Sequence, residues 1–179
     1  MALSLKLGDV RTIYAYNRAV FDRYARRVRR LSPRAARRKR GIGHESLFAT
    51  LVHILNVHEV WLGYIVWGRT SDPELEALFA DRSRHPTDWT GFARYSKRVW
   101  SAVDDSIARL SEKDLGRPVK VFWMPGHYTV RDGVLQATLE QAHHLGEMIG
   151  ALWQDDVEPP EMTWIDTNRA LARRRRARS

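Results

Sequence analysis

The stretch ESLFATLVHILNVHEVWLGYIVWG, residues 45–68, constrains the fold most. Leu47, Leu51, Ile54, Leu55, Leu62 and Ile65 recur at helical spacing on one side. Thr50, His53, Val57, Val60 and Tyr64 form a second stripe beside the first. A helix apolar over so wide an arc has to be covered on most of its surface, which predicts a central helix. Gly68 supplies a C-terminal stop. Three more long stretches share the period. The first spans 10–31, with Ile13, Tyr16, Val20, Tyr24 and Val28 as its stripe and Pro33 beyond its end. The third spans 88–110 along Phe92, Tyr95, Val99, Val103, Ile107 and Leu110. The fourth runs over 130–153. The connection from the second to the third is long, with SDPELEALFA reading as a short helix capped by Ser71 or Asp72. Before the fourth helix, Val119–Trp123 and His127–Val130 read as short extended arms around Pro125-Gly126. The expected fold is all-α, a four-helix bundle.

At 179 residues the chain is long enough for one domain with a real core. It has no cysteine, so disulfides and thiolate metal sites are excluded and any metal must use His, Asp or Glu. No run of eighteen apolar residues is present, and the start MALSLKLGDV lacks a charged region followed by a long apolar one. A cytoplasmic location is expected. The net charge of +9 is local. Ten Lys/Arg lie in 23–40 and six Arg in 169–178, with no acidic residue in either; the remainder is 14 basic against 21 acidic. The division expected is a bundle over 1–168 and a basic tail over 169–179. Such patches attract nucleic acid non-specifically, through phosphates and with strong salt dependence. They also serve as plain solvated helix surface. No helix-turn-helix or zinc-finger pattern accompanies them.

The fourth stretch holds EQAHHLGEMIGALW, with Glu140, His143 and His144 in an apolar setting. Buried polar groups have to be satisfied, so these form a core network, an acid/base set or metal ligands. Glu140 and His144 are four apart, on one helix face with Cβ atoms roughly 6 Å apart, close enough to converge on one ion. Two His and one Glu with an open position is a catalytic zinc arrangement, and the same donors suit iron(II) and nickel. The second helix offers His53 and His58, which lie about 140° apart around its axis and cannot both face one ion. Periodicity does not choose between them.

Three blocks, YNRAVFDRYARRVRRL, GHESLFATLVHILNVHEVWL and LGRPVKVFWMPGHYTVRDGVLQATLEQAHHLGEMIGALW, resemble the DinB-like family of four-helix-bundle metalloenzymes, also grouped with the YfiT-like thiol transferases. The likeness spans 10–165. Its most specific parts are the Ser-Leu-x-x-Thr-Leu-x-His-Ile-Leu block from Ser46 to Leu55, followed by Trp61-Leu62, and the last-helix block read here as EQAHHLGE. The resemblance implies a divalent metal held by one His of helix two, matching His53, and two of the last block. There His144 matches the second and Glu140 stands where the family has the first. Leu145-Gly146-Glu147 replaces Arg-Gly-Gln, and His58 falls where the family carries an acidic residue. His143 is offset by 100° from His144 and is expected beside the ligands rather than among them.

The implied site is therefore His53, Glu140 and His144 around zinc, nickel or iron. The implied activity is a metal-dependent S-transfer using a low-molecular-weight thiol, or a related hydrolysis or isomerisation of a small-molecule substrate. A bound divalent ion makes thiol or water nucleophilic near neutral pH. His58 or His127 is the expected proton shuttle, since imidazole titrates near pH 6.5. Trp61, Trp123 and Tyr128 are candidate pocket walls, with Trp61 equally at home in plain core packing. The resemblance also implies a homodimer. Two competing readings are a degenerate, metal-free helical scaffold, motivated by Glu140, and a nucleic-acid binder using its basic patches.

Overall fold

The structure, a computed structural model, describes residues 5–41, 43–69, 85–121 and 123–177, together with Pro73, Leu75 and Ala77. The short helix expected over SDPELEALFA and its cap fall largely outside them. The chain is mostly helical. The elements are α1 (Leu7–Arg29), α2 (Pro33–Arg37), α3 (Leu47–His58), α4 (Trp89–Arg109), α5 (Val130–Trp153) and α6 (Trp164–Arg176). Its one small sheet among the described residues is a two-stranded ladder, β1 (Pro118–Val119) with β2 (Tyr128–Thr129), antiparallel with Pro118 opposite Thr129 and Val119 opposite Tyr128.

Local chemistry sets the helix ends. Ser32 accepts from the Ala35 amide at 3.1 Å with Pro33 next in line, starting α2. Asp88 accepts from the Gly91 amide at 2.6 Å to start α4. At the start of α5, the Thr129 amide donates to Asp132 Oδ2 at 2.7 Å and the Asp132 amide donates to Thr129 Oγ1 at 3.3 Å, a reciprocal capping pair. Gly68 ends the second long helical run in the left-handed region, at φ 73°.

That run is not uniform. α-Helical hydrogen bonding stops at His58, passes into a π-turn over Glu59–Tyr64 and closes as a 3-10 turn over Ile65–Trp67. A π-turn carries one extra residue per turn and costs hydrogen-bond geometry, so something local has to hold it. Here Glu59, only 3 % exposed, accepts from the Tyr95 hydroxyl at 3.0 Å and forms an ion pair with Arg98. Pulling that carboxylate to α4 widens the helix where it begins. Leu47–Trp67 is long and apolar enough, by length and composition, to cross a membrane, yet 78 % of it is buried within the protein.

The chain divides into two compact units, 1–7 with 52–141 and 8–51 with 142–179. In the first, α4 lies against the π-turn. Ser106 donates to the Leu62 carbonyl and accepts from Trp67 Nε1, and the Arg109 and Arg117 guanidiniums stand 4.6 and 5.5 Å from the Trp67 ring centroid. Arg117 also donates to the Val66 carbonyl at 2.7 Å. In the second unit, Arg23 of α1 donates to the Glu161 carbonyl and to Thr167 Oγ1, each at 2.9 Å. The Tyr16 ring packs 4.9 Å from that of Trp164. Asp155 is paired with both Arg38 and Arg40, Lys39 with Glu45, and Arg37 stands 4.4 Å over the Phe48 ring. Half of the basic run at 23–40 thus has partners within the fold. The stretch expected as a loose tail after Asn168 is helical through Arg176.

Candidate functional site

In the first unit, one face of the second long helical run carries His53, Asn56, Val57 and Val60 at spacings of three, four and seven, followed by Trp61. Gln136 and Glu140 of α5 complete a cleft of about 210 Å3 with Trp123 and Met124 of the connection before β2. Trp61 packs edge-on to Trp123, ring centroids 5.8 Å apart. A Cβ on Gly133 would stand 3.5 Å from Trp61 Cε3, so the missing side chain lets the indole lie against α5. Gln136 donates to Glu140 Oε1 at 2.8 Å, one helical turn away. His53 and Glu140, two members of the implied ligand set, therefore border one cleft. Tyr128 is elsewhere, its hydroxyl donating to the Pro125 carbonyl at 3.0 Å across the tight turn. His127 sits exposed on that turn.

His58 has no solvent exposure. Its Nε2–H donates to Gln141 Oε1 at 2.8 Å, its ring lies 4.9 Å from that of Trp100, and its Nδ1 has no hydrogen-bond partner among the described residues. Burial pushes its pKa down to about 4, opposed only in part by the Gln141 bond. The ring is neutral at pH 7 and cut off from solvent, a core histidine rather than the neutral-pH shuttle expected of it.

In the second unit, the last helix presents His143, His144 and Glu147, each with one ligand atom within 4.8 Å of the others. His144 is mostly buried, and its Nδ1 meets Glu147 Oε2 at 2.8 Å. A carboxylate at Nδ1 keeps the proton there and directs the ring's lone pair to Nε2, the tautomer a metal-binding histidine uses. His143 is largely exposed, its Nε2 3.4 Å from Glu147 Oε1. The ring of His44 lies 5.0 Å from that of His144, as does the ring of His143. His44 comes from the loop before α3, which bends through positive φ at Gly41 (68°), Gly43 (45°) and Glu45 (68°). Gly43 presses on Glu147, and a Cβ there would collide with Oε2. The Arg38 and Arg40 pairs with Asp155 anchor the start of this loop.

Sequence reasoning did not find His44 or the role of Glu147. His44 lies in an irregular loop, which helical periodicity cannot place. Glu147 was read as a departure from the motif, although its spacing of three from His144 is that of facing helix neighbours.

A sequence model of the DinB superfamily matches residues 16–148. The chain belongs to the DinB superfamily. A search of curated proteins finds no match. Superfamily members often bind divalent metals, and this chain carries His and Glu groups able to hold one.

Proposed function

We propose that this DinB-superfamily chain is a divalent-metal-dependent enzyme whose ion is held by His53, His144 and His44. The observation that carries the reading is the Glu147–His144 pair at 2.8 Å with the His44 ring beside it. The donors fit zinc, nickel or iron(II), which take imidazole nitrogen readily. Glu140, which the motif puts among the ligands, instead faces the cleft with its carboxylate held by Gln136. An ion bound by the three imidazoles supplies a Lewis acid that lowers the pKa of a coordinated thiol or water. The chain's own part is to keep the proton on His144 Nδ1 through Glu147 and to present an aromatic cleft, walled by Trp61 and Trp123, to a small substrate. The reaction class is a thiol-dependent S-transfer or a related hydrolysis or isomerisation. The long helices α1, α3 with its extension, α4 and α5 are read as the four members of a bundle. Residues 169–179 are read as a basic appendage, and the working form as a cytoplasmic homodimer.

The test is metal content of protein purified without an affinity tag, followed by cobalt(II) titration read by absorbance. The expected result is one ion per chain with a tetrahedral cobalt spectrum. Absence of stoichiometric metal together with silence on titration would replace this reading with a metal-free helical scaffold.

A further inference from the structure

We propose that the cleft beside His53 selects a small organic ammonium compound, its cationic head on Glu140 and its apolar body against Trp61 and Trp123. Charge is the first argument. The protein has 30 Lys and Arg and a net charge of +9, yet the cleft wall contains neither residue type. Its one carboxylate is Glu140, so the wall favours a cation and disfavours an anion.

Shape and preorganisation supply the rest. Trp61 and Trp123 stand edge to face at 5.8 Å, and Val57, Val60 and Met124 extend the apolar wall. Indole faces attract a cation through their quadrupole, most strongly where water is excluded. Trp61 is fixed by its seat against Gly133, and Trp123, 38 % exposed, borders the mouth. Gln136 holds the Glu140 carboxylate in place before any ligand arrives. At about 210 Å3 the cleft is smaller than the ~300–1,000 Å3 that takes drug-sized ligands, which limits the occupant to a compact molecule. Asn56 adds a polar group on the same wall, suited to a hydrogen-bonding substituent.

The proposal rests on the preceding reading only in taking this cleft as the substrate's place. It is tested by calorimetric titration of the full chain with benzylammonium, benzyl alcohol and benzoate, which share a ring and differ in charge. Benzylammonium is expected to bind at least about tenfold more tightly than either of the others. Glu140→Gln is expected to remove that preference while leaving benzyl alcohol within about twofold, and Trp123→Ala to weaken benzylammonium and benzyl alcohol together. Equal affinity for the three probes, a preference for benzoate, or no heat with any of them overturns the proposal. So does a preference that survives Glu140→Gln. The wild-type comparison needs no variant, so a misfolded mutant does not blunt it. Cobalt(II) titration of the same sample reads the metal separately. Cobalt binding without ammonium selectivity sinks this inference alone, and selectivity without cobalt binding sinks the metal reading alone.

Discussion

His58 and His144 are both buried histidines on long helices, and both hydrogen-bond a side chain at 2.8 Å. Their partners differ. Gln141 offers His58 a neutral carbonyl in a fully dry setting, and burial drives the pKa to about 4. Glu147 offers His144 a carboxylate at Nδ1, with a second imidazole 5.0 Å away. The first arrangement satisfies a polar group that the core had to accommodate. The second orients a ring and strengthens its other nitrogen as a donor. A histidine's use is thus set by what its neighbour does to it, which residue type and helix position do not reveal.

The contrast breaks most visibly at the ligand itself. His144→Ala is expected to abolish cobalt(II) binding, while His58→Leu leaves the cobalt affinity within about threefold; loss in both, or in neither, erases the distinction. Next comes pH. Above pH 6.5 His58 is neutral in both the folded and unfolded states. As pH falls below that, the unfolded chain takes up a proton that the folded one refuses until about pH 4. Stability should therefore drop across that window by roughly 3 kcal/mol and then level off. Urea unfolding of wild type and His58→Leu between pH 7 and pH 4 measures this as a difference in slope, and parallel curves would contradict it. The third effect is smaller. Glu147→Gln keeps the shape but removes the charge behind His144, and should weaken cobalt binding about 10- to 100-fold without changing the unfolding midpoint by much. An unchanged affinity would demote Glu147 to surface decoration. The smallest concerns a different buried group, the Tyr24 hydroxyl, which has no hydrogen-bond partner among the described residues and whose pKa burial lifts to about 12. Tyr24→Phe should be neutral or stabilising, within about 1 kcal/mol, in thermal unfolding. A clear loss would mean that the hydroxyl is satisfied after all.

Much of the fold was legible. Helices expected over 10–31, 88–110 and 130–153 appear over Leu7–Arg29, Trp89–Arg109 and Val130–Trp153, because apolar spacing and capping residues are local signals. The second helix, expected as one run to Gly68, changes hydrogen-bonding pattern after His58. The cause is the contact of Glu59 with Arg98 and Tyr95, 39 and 36 residues further on, which no window along the chain can see. At the site, His53 and His144 were singled out by motif. His44 was hidden in a loop, and Glu147 acts through a bond to His144 that becomes visible only in three dimensions.

The π-turn has a consequence for how this chain tolerates change. An extra residue in a helix works as a phase shifter, setting the rotation of everything downstream. Deleting any one residue from 59–64 would let the ladder close as ordinary α-helix, but would turn the segment after it by about 100°. Trp67 would swing off Ser106 and away from the two guanidiniums that flank it. Length at this point is therefore under tighter constraint than composition, and substitutions here should be accepted where single-residue gaps are not.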